Sequence, residues 1–154
     1  GFNYRMTNVQ AAIGVAQLER LEGFVQAKRR LAMRYNEGLG ALGHVTLPPE
    51  EPWAHNGYWL YSCILGEGFG IGRDELMEKL LKNGVETRPL FYPLHEMPPY
   101  ARYVRPGQRF EVSTRLSRSG ISLPSSVTIT EEEQRDVLSA IRSIHDTRRL
   151  HATA

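Results

Sequence analysis

The sequence predicts an α+β fold in which a long helix leads into a small domain of helices laid on a sheet. Three observations carry this. Residues 7–39 keep helical apolar spacing, residues 44–52 form a proline-rich linker, and beyond them strand-like and helix-like segments alternate. With 154 residues, 41% of them apolar, the chain is long enough to bury roughly 70% of its unfolded surface without cross-links.

The first element begins at Thr7, a suitable N-cap. Asn8 to Leu18 carries no charge, and Val9, Ala12, Ile13, Ala16 and Leu18 make it apolar on nearly all sides, so it is expected to be buried on nearly all sides. From Glu19 the pattern turns amphipathic, with Leu21, Phe24, Val25, Ala32, Tyr35 and Leu39 as one stripe, and Gly23 is the expected kink. About 30 helical residues span on the order of 45 Å, which suits an element connecting two bodies. Gly38, Gly40 and Gly43 end it. The expected division is 1–43 as inter-domain helix region with its N-terminal loop, and 44–154 as the small α+β domain.

In that domain Tyr58–Leu65 reads as a strand covered on both faces, Gly66–Gly72 as a flexible turn, and Arg73–Asn83 as a helix with Asn83-Gly84 as its C-terminal stop. Val85–Arg88 returns as a short strand. Five prolines between Pro89 and Gln108 predict an irregular loop. Phe110–Arg118 reads as a short helix and Gly120–Leu123 as a short strand. Thr130 and Glu133 form a capping box for a last helix facing inward with Val137, Leu138, Ile141 and Ile144.

Composition excludes several classes of function. A single cysteine, Cys63, allows neither an intrachain disulfide nor a cysteine-cluster metal site, and fits a reducing cytoplasm. No apolar run reaches the roughly 18 residues of a membrane span, and a formal net charge of +2 gives no reason to expect nucleic acid. The expectation is a cytoplasmic protein with no membrane, nucleic-acid or metal partner. There is no P-loop, nucleophile elbow or His-Glu-x-x-His pattern; GEGFGIG at 66–72 lacks the lysine and context of a phosphate loop. The chain starts with Gly1 and enters the helix almost at once, as a fragment or processed piece would.

Two clusters carry candidate chemistry. Asn3, Tyr4 and Arg5 stand just ahead of a helix N-terminus, which attracts anions. Either Asn3 and Arg5 hold a phosphate or carboxylate there, or they tie the loop to a neighbouring carbonyl and acidic group. The second cluster is Arg88, Tyr92 and His95 in a proline-stiffened loop, where arginine suits carboxylate or phosphate and histidine can move a proton, or serve structure alone. Arg102, Arg105, Arg109, Arg115 and Arg118 make the following stretch basic.

The run GFNYRMTNVQAAIGVAQLERL, then GVETRPLFYPLH, ISLP and TITEEEQ, in this order, resembles the DegT/DnrJ/EryC1/StrS family of pyridoxal-phosphate-dependent sugar aminotransferases. The resemblance covers nearly all of this chain. It implies the connecting helix and small C-terminal domain of an aspartate-aminotransferase-like protein of fold type I, without the large cofactor domain, and a homodimer with active sites at the subunit interface. It also implies that Asn3 reaches the cofactor phosphate across the dimer with Tyr4 and Arg5 beside it. Arg88, Tyr92 and His95 would lie near the mouth where a nucleotide-linked or otherwise anionic sugar enters.

Transamination needs a lysine for the Schiff base. Lys28, Lys79 and Lys82 are the only lysines, and each sits among other charges on an amphipathic helix, the setting of solvated lysines. The family's lysine would precede Gly1, so no catalytic residue is assigned and no covalent cofactor is expected on this chain. The reading is the C-terminal portion of an enzyme that aminates a keto-sugar. The alternatives are a truncated dimerisation or binding module without catalysis, and a relative of the pyridoxal-phosphate-dependent sugar dehydratases.

Overall fold

Local capping starts the chain's order. In the computed structural model, which describes residues 4–152 and the side chains of residues 4–147, Thr7 opens α1 (Asn8–Leu18). The Gln10 N–H donates to Thr7 Oγ1 at 3.3 Å, and the Thr7 N–H donates to Gln10 Oε1 at 2.9 Å, a reciprocal box that satisfies two otherwise free donors. The helical path then breaks at Glu19–Arg20, not at the expected Gly23. Arg20 adopts φ −107°, ψ 0° and its N–H closes a turn onto Gln17 O, interrupting the ladder, whereas Gly23 lies inside α2 (Leu21–Gly40). Glycine in a helix costs only about 1 kcal/mol and does not by itself break it.

The expected burial of α1 is corrected by the structure. No residue of α1 is buried; Ile13 is 60% and Leu18 67% exposed, because no other described element packs over it. The far half of α2 behaves differently. Leu31, Ala32, Tyr35 and Leu39 are buried in the core, while Leu21, at the near end of the expected stripe, is exposed. The Tyr35 ring lies 4.8 Å from that of Tyr61, and its hydroxyl donates to Pro124 O at 2.8 Å.

The sheet has four strands in the order β1 (Val45–Thr46), β2 (Tyr61–Leu65), β4 (Gly120–Leu123), β3 (Arg88–Pro89). Each neighbouring pair is antiparallel, with Tyr61 opposite Leu123 and Arg88 opposite Ser122. Since β2 and β3 both run against β4, they are parallel to each other, joined through α3 (Arg73–Lys82). Strand β2 begins three residues later than expected. Tyr58 has φ +46°, a left-handed conformation that no strand accommodates. Strand β3 is two residues long and includes Pro89, placed in the sequence reading in the loop; at a sheet edge its missing N–H costs no ladder bond.

Alternation sorts β2 between two layers. Tyr61, Cys63 and Leu65 are buried in the core shared with α2, α3 and α5 (Glu131–Ala152). Gly120, opposite Ile64, faces the other side, where a Cβ would meet Leu116 O of α4 (Glu111–Ser119) at 2.6 Å and Leu90 Cβ at 2.9 Å. Helix α5 starts with the expected box: the Thr130 N–H donates to Glu133 Oε2 at 2.7 Å and the Glu133 N–H to Thr130 Oγ1 at 3.1 Å. It buries Val137 and Ile141, with Leu138 and Ile144 partly buried. Helix α3 buries Leu76 and Leu80, while Leu81, expected on the same side, is exposed. Among the described residues no helix is long and apolar enough to cross a membrane.

Candidate functional site

The proline-rich loop leaves the sheet at β3 and is pinned where it starts: the Leu90 N–H donates to Gly120 O at 3.1 Å. It then folds into two short 3-10 turns, Leu94–Glu96 and Pro98–Tyr103, more order than the proline count predicts, with Pro98 starting the second, where a missing N–H is tolerated. Tyr92 stands exposed between β3 and the first of these turns. His95 is held against α4: its ring stacks on Phe110 at 4.5 Å, and Nε2 lies 3.1 Å from Thr114 Oγ1. The Thr114 hydroxyl donates in turn to Glu96 Oε1 at 2.7 Å. Neither Thr114 nor Glu96 stood out in the sequence; they lie 18 residues apart, and only the loop's return onto α4 joins them.

Arg88 is separated from that cluster. No hydrogen bond, ion pair or ring contact joins Arg88, Tyr92 and His95 to one another among the described residues. Arg88 instead borders a groove of about 860 Å³ lined also by Lys28, Trp59, Thr87, Ser125 and Asp136. Thr87 Oγ1 is buried without a hydrogen-bond partner among the described residues.

Lys28 departs from its expected role as a solvated lysine. Its Nζ donates to Trp59 O at 2.8 Å and to Ser125 O, tying α2 to the segments before β2 and after β4, and burial lowers its pKa below the ordinary lysine value. Lys79 and Lys82 are surface lysines as expected, paired with Glu75 at 3.6 Å and Glu78 at 2.7 Å.

At the other end Tyr4 and Arg5 are exposed just before α1, and Asn3 lies outside the described residues. Arg5 meets no acidic partner among the described residues, so the local tie considered for it is not formed there. The two ends of a pyridoxal phosphate therefore fare differently. An exposed guanidinium beside a helix N-terminus fits the phosphate. The aldehyde end is not met: Lys28 is committed to two carbonyls, and Lys79 and Lys82 are in surface pairs on α3. No chemical step on that group follows from these residues.

The same segments are what known proteins share with this chain. The family model of the DegT/DnrJ/EryC1/StrS aminotransferases matches residues 1–142. A GDP-perosamine synthase of Caulobacter vibrioides is 38% identical over 145 residues, which is 94% of this chain and 38% of that protein. The putative pyridoxal phosphate-dependent aminotransferase EpsN of Bacillus subtilis is 33% identical over 149 residues, 96% of this chain and 38% of that protein. A DegT DnrJ EryC1 StrS aminotransferase from Brucella abortus superposes with a TM-score of 0.81 at 31% identity, over 94% of this chain and 37% of that one. The chain thus spans less than two-fifths of the length of these relatives. The ordered match from the segment ahead of α1 into α5, with the fold to accompany it, makes this chain a member of the DegT/DnrJ/EryC1/StrS aminotransferase family, a pyridoxal-phosphate-dependent family.

Proposed function

We propose that the protein transfers an amino group to a keto-sugar, nucleotide-linked, in cytoplasmic amino-sugar biosynthesis, with residues 1–43 linking a large pyridoxal-phosphate domain outside these 154 residues to a small domain at 44–154. The observation that carries this reading is the match over residues 1–142, together with the 38% identity to a GDP-perosamine synthase. Asn3, Tyr4 and Arg5 serve the cofactor phosphate, and Arg88, Tyr92 and His95 serve the sugar and its anionic group. The homodimer that brings Asn3 to a partner's cofactor is supported by the uncovered apolar surface of α1, which needs a neighbour.

The test uses the chain joined to its large domain. Incubation with pyridoxal phosphate, an amino donor and a set of nucleotide-linked keto-sugars is expected to give the amino-sugar by mass spectrometry, and Asn3→Ala is expected to weaken cofactor binding. Absence of both product and cofactor absorbance overturns the reading. A second reading, a dimerisation or binding module without catalysis, is favoured by the engagement of all three lysines. It predicts dimers and no cofactor absorbance even with the large domain present.

A further inference from the structure

We infer that Thr114 and Glu96 are positioning residues for His95, holding its imidazole with the proton on Nε2 so that Nδ1 is presented as a hydrogen-bond acceptor for a substrate hydroxyl. The inference rests on the proposed place of His95 at the sugar entrance.

The direction of the chain of hydrogen bonds follows from which groups can donate. An ionised carboxylate only accepts, so the 2.7 Å contact between Thr114 Oγ1 and Glu96 Oε1 uses the one hydroxyl proton of Thr114. That proton is then unavailable to His95, and the 3.1 Å contact at Nε2 requires the imidazole to donate. The Glu96 carboxylate, 3.7 Å from Nε2, favours a proton there as well.

One further contact, and burial, fix the ring rather than the proton. Phe110 stacks on it at 4.5 Å with an interplanar angle of 28°, and the His95 side chain is only 18% exposed. Nδ1 has no partner among the described residues. It is not a buried orphan either, since the buried side-chain atoms without partners are Thr87 Oγ1 and Gln134 Oε1. A held ring with one nitrogen committed inward leaves the other open to a ligand, and a sugar supplies the hydroxyl donor that a neutral Nδ1 accepts.

The deciding measurement is the imidazole ¹⁵N spectrum of the full chain labelled in histidine, taken with His95 neutral and assigned by loss of the signal in His95→Gln. The wild type is expected to show the Nε2–H form in about tenfold excess, the effect of one hydrogen bond in a charge-assisted chain. Thr114→Ser keeps the hydroxyl and is expected to keep that ratio. Thr114→Val is expected to relax toward the ratio of a solvated histidine. Glu96→Gln, which can donate as well as accept, is expected to let the hydroxyl turn and to raise the Nδ1–H form.

A wild type with Nδ1–H predominant, or a folded Thr114→Val with an unchanged ratio, overturns the inference. In the enzyme assay with the large domain present, Thr114→Val is expected to raise the KM for the sugar about fivefold with kcat nearly unchanged, the loss of about one hydrogen bond in binding. If the ¹⁵N ratio shifts as expected but KM does not, His95 is positioned as inferred and its assignment to the sugar entrance fails.

Discussion

Arg29 grips Glu50 at two points, Nη1 to Oε1 at 2.6 Å and Nη2 to Oε2 at 3.2 Å, and so fastens α2 to the linker ahead of β2. The Arg29 guanidinium, with the Asn56 N–H adding to it, pulls the Glu50 carboxyl down to about 2. A depressed carboxyl stabilises the fold fully above its unfolded value, about 4.3, and loses that contribution as pH falls through its folded value. The difference in Tm between the wild type and Glu50→Gln is therefore expected to be full near neutral pH and to shrink between about pH 4.3 and the folded value. Thermal melts followed by circular dichroism across that range check it; a constant difference would show that the ion pair is not the source.

Lys28 acts as a strut. Replacing it with methionine keeps most of its volume but leaves the carbonyls of Trp59 and Ser125 without their donor. A loss of about 1–3 kcal/mol is expected in urea denaturation. The same variant, in the protein joined to the proposed large domain, is expected to keep the absorbance of the bound cofactor, and borohydride reduction should place no label on Lys28. A label there would make it the Schiff-base lysine.

Two glycines of opposite setting make a paired test. At Gly120 a Cβ would strike Leu116 O at 2.6 Å, a backbone atom that cannot swing away, and Leu90 Cβ at 2.9 Å. Gly120→Ala is expected to cost about 1–3 kcal/mol, the ordinary cost of overpacking, and to disturb the root of the loop that carries Tyr92 and His95. Gly23 has nothing within 4 Å of such a Cβ, so Gly23→Ala is expected to be neutral or to stabilise α2 by up to about 1 kcal/mol. The urea midpoint of Gly120→Ala should fall, while that of Gly23→Ala should stay level or rise.

Burial pushes the Cys63 thiol up to about 12, well above its ordinary range. Near neutral pH the folded protein is expected to leave a thiol reagent such as dithionitrobenzoate unconsumed, and to react with one equivalent after denaturation. Rapid reaction in the folded state would mean that β2 opens readily.

Much of the small domain was legible because its signals are local. The Thr130–Glu133 box and the Asn83-Gly84 stop each depend on neighbours within a few residues. Two of the errors share one cause. The burial of α1 and the solvation of Lys28 both depend on what lies opposite in space. An apolar helix declares its need for cover but not what supplies it, and a lysine near other charges does not disclose two carbonyls arriving from 31 and 97 residues away.

For the candidate site, the sequence by itself singled out Asn3, Tyr4, Arg5, Arg88, Tyr92 and His95 through residue type and ordered motif, and also showed that the chain has only three lysines to offer. Only the tertiary structure decided how these groups stand. It set Arg88 on a groove apart from His95, committed Lys28 to the core's edge, and joined His95, Thr114 and Glu96 in one chain of hydrogen bonds. The physical reason is that residue type fixes what a group can donate or accept, while partner and direction depend on distances of about 3 Å between segments far apart in sequence.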